Sequence, residues 1–163
     1  MLPNQDPQAS DAPARWTTAL IIGGAGTFVL GLVVSAVLDP RIRVLHTLQA
    51  LPYFVAAALA VTNSPWGFGA GASIAAFWNY IWLHQLLMAA NWTDWSLLMT
   101  LLPAGGHFAL IIGSVAAFVR TRPGVPHCLR FIVGGVISVA YLVAIVVATG
   151  PQYIGLLRQV FGL

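Results

Sequence analysis

The chain has 163 residues, of which 59% are hydrophobic and only 7% are charged, and its formal net charge is +3. Ordinary soluble domains carry about 25% charged residues, and so few charges cannot cover the water-facing surface of a chain this long. The composition therefore excludes an ordinary soluble domain and predicts an integral membrane protein. The basic residues are all arginines at the edges of apolar segments, an arrangement that anchors membrane spans and does not favour nucleic-acid binding.

The chain begins with a polar segment, residues 1–15, that is rich in Pro, Gln, Asp and Ser. We expect this tail to be disordered, because it has too little apolar surface to bury. Charge-free stretches follow, separated by short charged loops, and a helix needs about 20 apolar residues to cross a bilayer. The pattern predicts an all-α polytopic bundle whose five spans lie at about 17–38, 44–62, 67–89, 96–119 and 130–149.

The second stretch admits another interpretation. Segment 44–62 contains Pro52, and a re-entrant segment around this proline would leave four spans, with a stronger bias of arginines to one side of the membrane. We favour five spans because 44–62 is long enough to cross and is continuously apolar.

The last residues, 150–163, place polar and apolar side chains on different helical faces, which predicts a short amphipathic helix in the membrane interface.

Small residues recur every four positions in the predicted spans, a spacing that lets helix backbones approach closely. The first span carries a ridge of this kind, formed by Gly23, Thr27, Gly31 and Ser35. Other spans carry Gly67 with Gly71, Gly105 with Gly113, and Gly134 with Ser138. We expect these residues to pack the bundle internally. The ridge of the first span is also the candidate for docking another transmembrane chain or a second copy within the lipid bilayer.

Polar side chains concentrate in one half of the predicted bundle, next to the 39–43 and 90–95 loops. Within the spans, these residues are His46, Gln49, Asn79, His84, Gln85 and His107. Polar groups are costly in a bilayer, so they usually face the bundle interior and often mark function. Trp78 and Trp82 lie one turn apart beside Asn79 and could face a flat ligand such as a quinone or a pigment. The candidate cofactor-binding residues are His84, His107, Asn79, Trp78 and Trp82.

The two deeper histidines raise the question of a haem or a metal ion. Neutral imidazole is the commonest metal ligand, and His84 and His107 are expected on neighbouring antiparallel helices. Their depths differ by about 7 Å, which helix tilt would have to absorb in a bis-histidine haem site. No carboxylate lies within a predicted span, although metal sites in helical bundles tend to use them. Haem is therefore a possible but disfavoured cofactor, and no metal is assigned.

The tripeptide Ser64-Pro65-Trp66, followed by Gly69, Ala75-Ala76 and Trp78-Asn79, resembles the SPW-repeat family of small membrane proteins. In that family the tripeptide closes one span of a hairpin and a Trp-Asn pair follows early in the next. Trp92-Thr93-Asp94-Trp95 is similar to the entry of such a repeat, but a second Ser-Pro-Trp is missing. The resemblance implies a helical hairpin around residue 64, and it implies no catalytic or binding residues.

Signatures of catalysis are missing from the sequence, which has no nucleophile elbow, zinc-protease motif or phosphate loop, so an enzyme is disfavoured. We expect a multi-pass protein of the bacterial inner membrane. The first functional hypothesis is a non-enzymatic subunit that packs against other membrane chains or itself. The second is a protein that binds a haem, quinone or pigment in electron or proton transfer. A small transporter is the third.

Overall fold

Five α-helices make up the fold in the computed structural model, which describes residues 15–88 and 94–149 and, beyond them, Ile154, Gly155, Arg158 and Gly162. The helices are α1 (Arg15–Leu38), α2 (Arg43–Val61), α3 (Pro65–Met88), α4 (Asp94–Arg120) and α5 (Val125–Thr149), with a 3-10 turn at Pro40–Ile42. The described part of the chain contains no strand, so the all-α prediction is confirmed there. The expected polar tail and nearly all of the expected interfacial helix at 150–163 lie outside the described residues.

Within the described residues, four segments are long and apolar enough to cross a membrane, namely Arg15–Leu38, Pro40–Val61, Leu101–Arg120 and Val125–Thr149. Their outward faces carry large apolar side chains, such as Leu30, Phe108 and Ile137, each more than half exposed. An outer surface of this kind suits hydrocarbon rather than water. These four segments and their apolar outer faces are consistent with an integral membrane protein that has several spans. Helix α3 has 24 residues but does not reach the same mean hydropathy, because it carries Asn79, His84 and several glycines.

Helix α2 runs without a break from Arg43 to Val61, with Pro52 inside it. The helix therefore contains no re-entrant turn at Pro52, and the segment Pro40–Val61 is long and apolar enough to cross a membrane. A proline inside a helix has no N–H to donate to the carbonyl four residues before it, which here belongs to Leu48. The Tyr141 hydroxyl of α5 donates a hydrogen bond to that carbonyl at 3.1 Å. A neighbouring helix thus satisfies the acceptor that Pro52 leaves free, as the interior of a membrane requires.

The junction of α2 and α3 is a tight turn. Asn63 adopts a positive φ of 57°, and the Ser64 amide donates to the Leu59 carbonyl at 3.0 Å. Pro65 then begins α3, where its missing N–H has no helical partner to lose. The chain therefore forms the helical hairpin that the SPW-repeat resemblance implies at this point.

The structure moves the start of the last helix to Val125, five residues before the predicted start of the span at 130. Pro126 occupies the first turn, where proline is well tolerated, and Arg130 is an exposed residue within the helix. The prediction began the span at this charged residue. Charged side chains limit what enters the hydrocarbon, but proline and glycine decide where a helix begins.

Glycines bring the helices into close contact. In α1 and α4 the approach is at Gly24 and Gly106, each of which lies against the backbone of the other helix. In α3 and α5, Gly69 lies against the Phe131 backbone and Gly134 against Trp66. Close packing through small residues is confirmed, but the predicted ridges are shifted at the α1–α4 contact. Residues four apart drift by about 40° around a helix, so a ridge that passes through Gly23 turns from one face to another.

Replacing Gly24 with alanine should destabilise the protein by about 1–3 kcal/mol, because the added methyl group meets backbone atoms that cannot move aside. At Gly23 nothing lies within 4 Å of an added Cβ, so Gly23→Ala is the matched control in the same helix. Thermal unfolding in a mild detergent, followed by circular dichroism, gives both midpoints. Equal midpoints for the two variants would contradict the assigned α1–α4 contact.

Candidate functional site

A cavity of about 330 Å³ lies where the second half of α1, the first half of α2, the second half of α3 and the start of α4 meet. This is the half of the bundle in which the sequence concentrates its polar residues. The described lining residues are Thr27, Phe28, Gly31, Leu32, Ser35, Ile42, His46, Gln49, Trp78, Ile81, Trp82, Leu102 and Pro103. The cavity is thus mostly apolar and has a few polar groups, as small-molecule sites usually do.

Helical periodicity explains how the polar side chains reach this place. On α2, His46, Gln49 and Tyr53 are spaced three and four residues apart and share one face. Gln49 is 4% exposed and Tyr53 is fully buried. On α3, Trp78 and Trp82 are one turn apart and both line the cavity. Two helices therefore present polar or aromatic faces to the same space.

Two buried polar atoms of the cavity lining have no hydrogen-bond partner within the described part of the chain. They are Nε1 of Trp78 and Nδ1 of His46. Trp78 is only 9% exposed, so bulk water does not reach its indole nitrogen. A buried polar group without a partner costs about 1–3 kcal/mol. A bound molecule that supplied the missing partners would recover that free energy.

A second polar cluster lies deeper in the bundle, around a histidine whose two ring nitrogens are both hydrogen-bonded, while Nδ2 of its partner Asn79 has no partner among the described residues. The His107 ring is completely buried, and its Nδ1 lies 3.1 Å from Asn79 Oδ1. Because a carbonyl oxygen can only accept, Nδ1 carries the proton and donates it to Asn79. The Tyr53 hydroxyl lies 2.9 Å from Nε2 and therefore donates to that nitrogen. This Tyr53–His107–Asn79 triad joins α2, α4 and α3.

Phe28 of α1 separates the triad from the cavity. Its ring centroid lies 4.5 Å from that of Tyr53 and 4.2 Å from that of His107, while the same side chain lines the cavity. All four helices around the cavity therefore contribute to one aromatic and polar cluster. The Phe28 ring is therefore in contact with both the triad and the cavity.

The loop between α1 and α2 carries an ion pair between Asp39 and Arg41. The Asp39 carboxylate accepts two hydrogen bonds from the Arg41 guanidinium, each at 2.9 Å, and also accepts one from the Arg41 backbone amide. The hydrogen bonds from the Arg41 side chain lower the pKa of the exposed Asp39 carboxyl. Among the described lining residues none carries a formal charge, so the cavity interior is neutral.

The five predicted site residues fall into three groups: two line the cavity, two belong to the triad, and one belongs to neither. Trp78 and Trp82 line the cavity, and Asn79 and His107 form the triad behind it. His84 is half-buried and takes no part in the triad. Asn79 Oδ1 and the Tyr53 hydroxyl engage both ring nitrogens of His107, so haem or metal ligation by His107 would require one of these hydrogen bonds to break. The described residues contain no group of three metal-ligating side chains. The side chain of Gln85, another polar residue of the predicted spans, lies outside the described part of the chain.

Tyr53 and Phe28 are functional candidates that the sequence reasoning missed. Tyr53 could have been found, because it continues the face of α2 that His46 and Gln49 define by three- and four-residue spacing. Phe28 could not, since it is one of several apolar residues of α1 and only the three-dimensional packing sets it apart. No protein-family model, curated protein or solved structure matches this chain.

Replacing Tyr53 with phenylalanine should destabilise the protein by about 0.6–2 kcal/mol, the range for a hydrogen bond between membrane helices. The reason is that His107 Nε2, in a completely buried ring, loses its hydrogen-bond donor. The same change in a His107→Phe background should cost much less, because no acceptor remains to be orphaned. A double-mutant cycle of unfolding free energies gives the coupling. A coupling of zero would mean that the two side chains do not interact in the folded protein.

Proposed function

We propose that this chain is a multi-pass membrane protein that binds a small, neutral, ring-containing molecule in the cavity between α1, α2, α3 and α4. The observation that carries the proposal is that two buried polar atoms without a described partner, Trp78 Nε1 and His46 Nδ1, belong to residues that line one mostly apolar cavity. Of the sequence-based hypotheses, this favours a ligand-binding protein over a purely structural subunit.

The size and lining of the cavity support a small ligand. Pockets for small molecules have volumes of about 300–1,000 Å³ and mostly apolar walls, and the volume here is about 330 Å³. The aromatic faces of Phe28 and Trp82 suit a flat ring. The absence of formal charge among the described lining residues favours a neutral molecule, because an ion in an apolar cavity needs a charged partner.

The proposal includes five spans, with α3 crossing the membrane inside the bundle. At its beginning, Gly67 of α3 lies against Leu59 and Ala60, near the end of α2. Towards its end, Trp82 shares the cavity with Ile42 and His46, at the beginning of α2. Helix α3 therefore covers the same depth as α2, and its 24 residues are about 36 Å long. Asn79 is half-buried and bonds to His107 of α4, which lowers the cost of placing this polar side chain in a membrane span.

A labelling experiment tests the crossing of α3. With five spans, the 39–43 loop and the α4–α5 loop lie on opposite sides of the membrane. We expect Pro40→Cys and Gly124→Cys, each made in a Cys128→Ala background, to react with an impermeant maleimide from opposite sides of oriented vesicles. If α3 did not cross, the two loops would lie on the same side and both variants would be labelled from that side.

Association with another transmembrane chain, or with a second copy, is a second candidate function. Gly23 in α1 and Gly105 in α4 are exposed, and nothing lies within 4 Å of a Cβ added at either position. Small exposed residues of this kind permit close helix contacts in lipid. The other members of the predicted ridge, Thr27, Gly31 and Ser35, line the cavity, so a partner that docks on α1 would lie beside the ligand site.

Blocking the cavity tests the proposed ligand binding. Gly31 lines the cavity, and the nearest atom to an added Cβ is Pro103 Cγ at 3.9 Å, so a leucine side chain at position 31 has room to fill the cavity. We expect organic extracts of the purified wild-type protein to contain a neutral ring compound in near-stoichiometric amount, and those of Gly31→Leu to contain at least tenfold less.

The control is Gly26→Leu, which adds the same side chain to the same helix. Gly26 is exposed, nothing lies within 4 Å of an added Cβ, and it is not among the lining residues. This variant should retain the compound. Equal amounts in the two variants, or none in the wild-type protein, would contradict the proposal.

A further inference from the structure

We propose that the corner of the bundle between the end of α4 and the start of α5 binds the headgroup phosphate of an acidic phospholipid through Arg120, Arg122 and Arg130. This surface is separate from the cavity, which lies in the other half of the bundle, and the proposal does not depend on what the cavity binds. It follows from the position, the lack of protein partners and the membrane depth of these arginines.

The packing of the helices gathers arginines at one end of the bundle. Thr17 of α1 lies against Gly113 of α4, and from this contact the two antiparallel helices continue to the same end, where α1 begins at Arg15 and α4 ends at Arg120. The α4–α5 loop and the first turns of α5 follow at that end. The four arginines of this end, at positions 15, 120, 122 and 130, are all exposed.

Three of them are held close together in the corner between α4 and α5. The rings of Phe118 and Phe131 pack with their centroids 4.4 Å apart, so Arg120, two residues after the first ring, and Arg130, one residue before the second, lie on adjacent helices. Arg122 takes a positive φ of 48° in the tight turn between them, and its amide donates back to α4 at 3.1 Å. The corner therefore carries three neighbouring positive charges.

The arginines of this end have no partner for their side chains in the described part of the chain: no hydrogen bond or ion pair joins any of the four guanidinium groups to a described residue. The arginines of the opposite end differ. Arg41 pairs with Asp39 at 2.9 Å, and Arg43 Nε donates to the Ala36 carbonyl at 3.4 Å. The unpaired guanidinium groups therefore favour an anion from outside the described chain.

Two tryptophans place these arginines at the depth of the lipid headgroups. Trp16 and Trp66 are 49% and 38% exposed, and tryptophans of membrane proteins collect at the membrane interface. Trp16 directly follows Arg15 in α1. Gly134 of α5 lies against the Trp66 backbone, and Arg130 lies four residues, or about 6 Å, further towards the water along α5. This is the depth at which a guanidinium group meets lipid phosphates.

An acidic phospholipid has the chemistry that this corner needs. A guanidinium group presents its N–H donors in a planar fork that binds two phosphate oxygens at once. Acidic lipids attract juxtamembrane arginines through their net negative charge, which a zwitterionic choline lipid lacks. The exposed apolar side chains of Val119, Leu129 and Val133 lie next to the arginines and offer a surface to the acyl chains of a lipid. A free phosphate ion would make no use of that surface.

The lipid that co-purifies with the full chain tests the proposal. The protein is reconstituted into vesicles of phosphatidylcholine with a minor share of phosphatidylglycerol, extracted again in a mild detergent and purified, and the bound lipids are quantified by mass spectrometry. We expect phosphatidylglycerol to be enriched about threefold or more over its share in the vesicles, because each interfacial arginine adds attraction for an acidic lipid. Inorganic phosphate, added at the same ionic strength as a chloride control, should not remove the enrichment.

Two double variants assign the enrichment to this corner. Arg120→Gln with Arg130→Gln should abolish it. Arg41→Gln with Arg43→Gln removes the same number of arginines from the opposite end, where they have partners within the chain, and should keep it. Thermal unfolding in the same detergent shows whether each double variant is folded. The enrichment by the wild-type protein tests the proposal even if a variant fails to fold.

Four results would overturn the proposal. The first is a bound phosphatidylglycerol share equal to that of the vesicles in the wild-type protein. The second is an equal loss of enrichment in both double variants, which would assign the effect to total charge. The third is a loss caused by inorganic phosphate and not by chloride, which would identify a site for the free ion. The fourth is enrichment that appears only in Asp6→Asn with Asp11→Asn, because the carboxylates of the N-terminal tail would then be the partners of the arginines.

Discussion

Hydrocarbon offers no hydrogen bonds, so every polar group inside this bundle must find its partner on another part of the protein or on a bound molecule. The chain meets this constraint in its backbone at Pro52. There the Tyr141 hydroxyl of α5, far away in sequence but adjacent in space, donates to the Leu48 carbonyl that the proline leaves free. It meets the constraint among its side chains at His107, where Tyr53 and Asn79 occupy both ring nitrogens. The same contacts that satisfy these groups also join the helices, so polar satisfaction and packing are a single problem here.

Among the described residues, four buried side-chain atoms have no hydrogen-bond partner. Two of them, Trp78 Nε1 and His46 Nδ1, belong to residues that line one cavity, while the other two are Asn79 Nδ2 and Ser114 Oγ. Folded proteins rarely leave buried polar atoms unpaired, and an atom without a partner in the protein usually pairs with a ligand or a water molecule. Phe28 touches both regions, so it lies between the polar triad and the cavity.

Much of the architecture could be predicted from where the charges fall, because charges are excluded from the hydrocarbon and so mark the ends of its spans. The polar asymmetry also located the site, since His46, Gln49, Asn79 and His107 do gather there. The start of α5 at Val125 was missed because it lies at Gly124 and Pro126, whereas the prediction followed the charge of Arg130. The roles of Phe28 and Tyr53 and the use of Gly24 rather than Gly23 depend on helix rotation, which a one-dimensional pattern does not contain.

The central claim is that α3 passes through the membrane inside the bundle and buries the Trp78 side chain, which is 9% exposed, away from both water and lipid. Fluorine NMR of the chain labelled with 5-fluorotryptophan in nanodiscs tests it most directly, with the Trp78 signal assigned from its loss in Trp78→Phe. The account predicts that neither a water-soluble paramagnetic reagent nor a spin-labelled acyl chain broadens this signal, while the exposed Trp16 and Trp66 are broadened. Strong broadening of the Trp78 signal by either reagent would contradict the account.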